Sequence, residues 1–229
     1  MFTHVELPAR SDDPQLSRVP LNRASPLTGV YRHAGKRILD LSLVLAAAPF
    51  VILIVAILAV IVACDGSRPF YVQKRVGRNG RIFRLWKLRS MVPDADRHLV
   101  RYLAANPAAK AEWDTTQKLR RDPRITRFGH FLRRSSLDEL PQLLNVVLGD
   151  MSLVGPRPMM VEQRSMYPGT DYFLMRPGLT GLWQVAERNG TTFAARARYD
   201  AEYSATLSLR TDLHTLWRTF AVVRKGTGV

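Results

Sequence analysis

One run dominates the hydropathy pattern of this chain. From Leu43 to Cys64 it reads LVLAAAPFVILIVAILAVIVAC, without a charged residue. As a helix it would extend roughly 33 Å at 1.5 Å per residue, enough to cross a hydrocarbon core. Apolar runs of ~18 or more residues mark membrane rather than the interior of a water-soluble domain. Crossing is a separate question. Arg32, Lys36 and Arg37 precede the run, and Arg68, Lys74, Arg75 and Arg78 follow it. Basic flanks favour the cytoplasmic side, and one straight crossing cannot put both flanks there. Pro49 lies inside the run. It removes a backbone donor and its ring clashes with the carbonyl four residues earlier, so a kink is expected. A helix broken at Pro49 could enter the bilayer, turn, and leave on the same face. The pattern therefore predicts a re-entrant segment over about 38–64, with Asp40 pairing to Lys36 or Arg37 one turn back.

Outside that segment the pattern is that of a small mixed domain. Residues 1–30 are rich in Pro, Ser, Arg and Asp and have no apolar period, which predicts a disordered tail. They do not form a signal peptide, because the apolar stretch begins too late and no small-residue cleavage site follows it. Arg68–Arg89 holds eight Lys or Arg and no acid; its VGRNGRIF core predicts a Gly-centred hairpin. Asp94 to about Gln117 predicts a helix interrupted at Pro107. Ser136 and Glu139 make an S-x-x-E capping box ahead of the apolar positions Leu140, Leu143, Leu144 and Val147, with Gly149 as the stop. Thr192–Arg224 predicts helix. There Trp217 and Phe220 stand among Arg218 and Arg224, which suits either an interfacial amphipathic helix or burial against the core.

Charge narrows the partners. Lys and Arg number 34 against 19 Asp and Glu, a net +15 that favours nucleic acid, anionic headgroups or phosphorylated substrates. Cys64 is the single cysteine, so no internal disulfide can form, which fits a reducing compartment. No CxxC or HExxH occurs and the five histidines lack ligand spacing, which argues against zinc.

The chemistry concentrates between Leu132 and Pro158, LRRSSLDELPQLLNVVLGDMSLVGPRP. Asp138 and Glu139 have a plain structural reading as first-turn acids of a capped helix. Their setting adds a second. Arg133 and Arg134 stand just upstream, and a helix N-terminus would present free N–H groups, together a phosphate site. A carboxylate held where phosphate binds can be a nucleophile, and a neighbouring carboxylate can hold Mg²⁺. In Gly155-Pro156-Arg157-Pro158 two prolines stiffen the backbone around one arginine, so Arg157 is ordered at low entropic cost.

At these residues the chain resembles the bacterial sugar transferases of the small monotopic phosphoglycosyl transferase type. The motifs occur in order: KRILD, QKRVGRNGRIF, KLRSM, DPRITRFGHFLRRSSLDELPQLLNVVLGDMSLVGPRP and RPGLTGLWQVAERN. The likeness runs from about Lys36 to the C-terminus, and is greatest to members that initiate exopolysaccharide synthesis with UDP-galactose. It implies an α+β membrane-associated fold over 31–229, with one re-entrant, proline-broken membrane helix, amphipathic surface helices and a small α/β cytosolic catalytic part from about residue 65. It implies transfer of a sugar 1-phosphate from a UDP-sugar to undecaprenyl phosphate at the cytoplasmic face of the bacterial inner membrane, with release of UMP. The implied roles are Asp138 as nucleophile in a ping-pong cycle, Glu139 as Mg²⁺ ligand, Arg157 at the uridine end, and Lys87, Arg133 and Arg188 on phosphate. Implied partners are the two substrates, membrane lipid and downstream glycosyltransferases, with a homo-oligomer left open and nucleic acid excluded. Two departures stand out. Ala48-Pro49 replaces the Ser-Pro of many members, and Glu187 replaces a glycine beside Arg188. Two readings from other classes compete: a membrane-tethered basic protein binding anionic lipid or nucleic acid without catalysis, and a bitopic assembly subunit.

Overall fold

Residues 29–116, 119–186 and 193–224 are described by a computed structural model. The predicted tail falls outside them up to residue 28; Gly29 and Val30 are already helical. A single turn of π-helix, Tyr31–Gly35, leads into α1, Lys36–Ala63. Helix α1 runs through Pro49 without a change of assignment. Strands β1 (Phe70–Val76) and β2 (Ile82–Leu88) pair antiparallel around Arg78–Gly80. Asn79 and Gly80 take φ of +57° and +75° there, the left-handed backbone that an Asn-Gly hairpin supplies. Helices α2 (Ala95–Ala105) and α3 (Pro107–Thr116) flank the expected break, since proline cannot extend the preceding helix.

Next come α4 (Arg127–Ser135), α5 (Gln142–Leu148), β3 (Ser152–Val154), the short α6 (Asp171–Leu174), β4 (Gly178–Thr180) and α7 (Leu182–Ala186). Strands β3 and β4 pair parallel. The predicted C-terminal helix is two helices, α8 (Arg196–Thr206) and α9 (Leu209–Arg224).

The apolar helix is attached to this body at both ends, along one face. Asp40, Val44, Leu58 and Val62 are its buried residues. Val44 joins Phe83, Leu85, Val146, Met151 and Tyr203 in one core cluster. Leu58 and Val62 join Leu88 and Leu132 in another. Strand β2 supplies residues to both clusters. Between those two ends every residue of α1 is half-buried or exposed, with Phe50 at 72% and Ile52 at 69%.

Buried carboxylates fix the entry. Asp40 accepts from Ser152 Oγ at 2.6 Å and from the Leu153 N–H at 3.1 Å, rather than pairing to Lys36 as the spacing predicted. Lys36 reaches instead to Asp212 of α9 at 2.7 Å. Asp212 is 1% exposed and also accepts from the hydroxyls of Tyr31 and Tyr203, each at 2.6 Å. A helix-local pair is exposed and weak, whereas these carboxylates gain strong donors out of water. At the exit, Arg89 grips Asp65 at 2.6 Å and the Val62 carbonyl at 2.9 Å.

Truncating Asp212 would strand Lys36 and two hydroxyls. Asp212→Ala should cost about 3–5 kcal/mol, the range for breaking a buried ion pair, and Asp212→Asn, which keeps one acceptor oxygen, should cost less. Thermal unfolding in detergent checks this, and equal midpoints for wild type and Asp212→Ala would refute it.

Candidate active site

The predicted capping box does not form. Helix α4 is capped at its start by Thr126, whose hydroxyl accepts from the Gly129 N–H at 2.8 Å. It ends at Ser136, whose φ of +57° is left-handed. An N-cap side chain reaches its helix from extended backbone. Ser136 is committed to closing the preceding helix, and its side chain caps nothing. Asp138 and Glu139 therefore sit on a single 3₁₀ turn, Leu137–Glu139, between α4 and α5. Helix α5 starts only at Gln142 and stops, as predicted, at Gly149, φ +88°. It turns Asn145 and Val146 inward, while Leu144, Val147 and Leu148 are exposed.

Three interactions hold the turn against β2. Asn145 is fully buried; its amide accepts from the Trp86 N–H at 3.2 Å and donates to the Arg84 carbonyl at 2.7 Å. It thus pairs with the β2 backbone much as another strand would. That fixes Lys87, one residue on, beside the turn: Lys87 Nζ lies 2.6 Å from Glu139 Oε1 and 3.6 Å from Asp138 Oδ2. Ser90, just beyond β2, accepts from Arg133 Nε at 2.9 Å, and its carbonyl accepts from the Thr126 N–H.

Asp138 is 5% exposed, whereas the Glu139 side chain is 23% exposed. Burial pushes the Asp138 carboxyl above the ordinary carboxylate range, and Glu139 adds to this, while Lys87 and Arg133 oppose it. Burial likewise weakens the hold of Arg133 on its proton, against the pull of Asp138 and Asp122. Asp122 in turn clamps Arg124, with contacts at 2.6 and 2.8 Å. The arrangement is a buried carboxylate beside a partly exposed one, with an ammonium and a guanidinium next to them. Such a corner can bind phosphate and direct an oxygen nucleophile at it.

A family assignment follows from comparison. The model of the bacterial sugar transferase family matches residues 31–226. The chain belongs to the bacterial sugar transferases. It is 47% identical over 195 residues to the UDP-galactose-lipid carrier transferase of Erwinia amylovora, covering 84% of this chain and 41% of that protein. It is 39% identical over 200 residues to the exopolysaccharide production protein ExoY of Sinorhizobium fredii, covering 86% and 87%. It is 46% identical over 166 residues to the undecaprenyl-phosphate galactose phosphotransferase of Salmonella typhimurium, covering 72% and 35%. The chain therefore spans nearly all of the ExoY relative and less than half the length of the other two.

Among the residues singled out in this sugar transferase, the fold brings Lys87, Arg133, Asp138 and Glu139 together. Arg134 points to solvent instead. Arg157 follows β3 and stands 5.8 Å from the Trp183 ring centre. Its loop is tied to β1 by Arg75, which donates to the Pro158 carbonyl at 3.1 Å. Arg188 and Glu187 lie outside the described residues. Sequence reasoning missed Ser90, Asn145 and Arg75. Only Asn145 left a signal, as the lone polar residue within the LLNVVL run.

Gly129 provides a test of the frame. A Cβ built on it would lie 1.9 Å from the Ser90 carbonyl oxygen. Gly129→Ala must push α4 away from the residue that holds Arg133, and should cost about 1–3 kcal/mol of stability. Ser90→Ala loses one hydrogen bond, about 1 kcal/mol. Denaturant titration of both variants checks the order, and equal costs would refute it.

Proposed function

We propose that this sugar transferase moves a sugar 1-phosphate, galactose 1-phosphate first, from a UDP-sugar to undecaprenyl phosphate and releases UMP. The observation that carries the reading is the buried Asp138 carboxylate between Lys87, Arg133 and Glu139. A bitopic tether or a basic lipid-binding surface has no need to bury a carboxylate among cations, which costs several kcal/mol unless compensated.

Asp138 attacks the sugar-bearing β-phosphorus. A P–O bond forms to its carboxylate as the bridging P–O bond breaks, and the electron pair leaves with UMP. Lys87 and Arg133 offset charge on the phosphoryl oxygens. An oxygen of the lipid phosphate then attacks the same phosphorus and returns Asp138 as carboxylate. One site serves both halves, so the kinetics are ping-pong.

The donor set suits Mg²⁺. Among the described residues no group of three or more His, Cys, Asp or Glu occurs, but Mg²⁺ is commonly held by one or two carboxylates plus substrate phosphates and water. Glu139, the more exposed carboxylate, would hold it, with Asp138 adjacent. When bound, the ion would neutralise charge on the diphosphate.

The re-entrant topology is part of the proposal. Asp40 and Val62 would be about 33 Å apart in a straight helix, the thickness of a hydrocarbon core. Both pack on one body, and a body cannot be on both faces of a bilayer. The exposed middle of α1 would then dip into lipid with its bend at Pro49. Two apolar stripes flank the entry and support the same seat. Leu144, Val147 and Leu148 of α5 are exposed, and the α5 carbonyls of Val146 and Val147 are capped by Arg37. Leu209, Leu213, Trp217 and Phe220 of α9 are exposed and share one stripe of the helix. Because Asp138 and Glu139 immediately precede α5, the chemistry would lie at the cytoplasmic surface of the inner membrane, within reach of a lipid phosphate.

Three outcomes test this reading. In a UMP-release assay with UDP-galactose, undecaprenyl phosphate and Mg²⁺, Asp138→Asn should lose at least ~10³-fold, since it removes the attacking oxygen's charge; near wild-type release would refute the nucleophile. The acid limb of wild-type kcat/KM should lie above the ordinary carboxylate range, because the raised Asp138 proton must leave before attack and the rate falls as pH drops through its pKa. Cysteines introduced at Arg32 and Arg68 should both label from the cytoplasmic side of sealed vesicles, and opposite sidedness would sink the hairpin.

A further inference from the structure

A second cationic corner lies beyond the turn that carries Asp138. Arg196 opens α8, and its guanidinium sits 4.3 Å from the Trp183 ring centre and 5.0 Å from that of Phe193. Arg157 lies over the same Trp183 at 5.8 Å. Arg75 is within electrostatic reach of both Arg157 and Glu139. Trp183 itself is 6% exposed.

The corner is over-charged. Asp200 is the acid that faces Arg196, and Tyr167 Oη already donates to it at 2.7 Å. Burial raises Asp200 to about 6, so it holds its proton more readily than an ordinary aspartate. Burial and then Arg157 lower Arg196 to about 10. Arg75 spends two nitrogens on the Pro158 carbonyl and Gln73. The buried Nε atoms of Arg75 and Arg196 have no hydrogen-bond partner, and among the described residues neither Arg157 nor Arg196 makes an ion pair. Buried donors without partners are costly, and more so when charged. Arg157 and Arg196 at one indole, with Arg75 within electrostatic reach of both, add like-charge repulsion. A phosphate monoester would satisfy the donors and offset the charge together.

Resting on the function proposed above, we infer that Arg196, with Arg157 and Arg75, seats the phosphate that departs as UMP, making Arg196 a nucleotide-binding residue of this transferase. Lys87 and Arg133 serve the attacked phosphorus, and the leaving phosphate gains charge as the bridge breaks. Arg75 is within electrostatic reach of both Glu139 and the second cluster, and that charge needs a partner beside the first site. Asp200 and Tyr167 position Arg196, and Trp183 carries its flat face.

The test uses the full chain in nanodiscs. UMP, and separately undecaprenyl phosphate, is titrated by calorimetry into wild type, Arg196→Gln and Arg196→Lys, and the KM for each substrate is measured. Arg196→Gln should weaken UMP binding and raise the KM for UDP-galactose at least tenfold, with the KM for undecaprenyl phosphate within twofold. Arg196→Lys should recover part of the loss, which also serves if the Gln variant fails to fold. Unchanged UMP affinity in either folded variant overturns the inference, as does a loss confined to undecaprenyl phosphate, which would make the site a lipid-phosphate seat. Failure of the wild type to release UMP refutes the proposed function instead, and the calorimetric comparison still reads the site.

Discussion

Two buried carboxylates bind the apolar helix to the rest of the chain, and most of the architecture is arranged around satisfying them. Asp40 is served by Ser152 and the Leu153 N–H, and Asp212 by Lys36, Tyr31 and Tyr203. A carboxylate out of water is tolerable only with such donors. The donors come from β3, α8 and the entry of α1, so the elements cannot separate without exposing an unpaired charge. The same contacts set the inclination of the helix on the body, and Arg89 with Asp65 and the Val62 carbonyl closes the other end. A segment apolar enough to leave water entirely is thereby kept on one side of its own domain.

The site inherits its geometry from this attachment. Arg37, the second residue of the apolar helix, caps the carbonyl end of α5, and Asn145 of α5 grips the β2 backbone. Those contacts hold the short turn of Asp138 and Glu139 against Lys87 from opposite directions. Ser90 and Gly129 set the spacing on the Arg133 side, where a single added methyl would collide with the backbone. The carboxylates are consequently placed by the long apolar helix.

Helix α5 illustrates how far pattern reading carries. Its apolar positions and glycine stop are legible in the sequence, but its start at Gln142 is not. Yet the helix buries Asn145 and exposes Leu144 and Val147. Periodicity marks an apolar face but does not say what covers it, and here a buried asparagine paired to the β2 backbone takes the inward position. The capping box failed for a different reason. Ser136 satisfies the motif by spacing, but its backbone is already used to end α4, and one residue cannot be both left-handed stop and extended cap.

The sequence by itself determined the apolar segment, the basic hairpin, the family, and the identity of the residues gathered at Lys87, Arg133, Asp138 and Glu139, because those depend on composition, short-range spacing and motif order. It could not say that Asp40 ignores the lysine one turn away, or that Asp212 would reach Lys36 across 176 positions. Nor could it place Arg157 and Arg196 against one buried tryptophan. Charge pairing between distant segments has no period to read. It is decided only when the folded chain excludes water and forces each buried charge to find its partner.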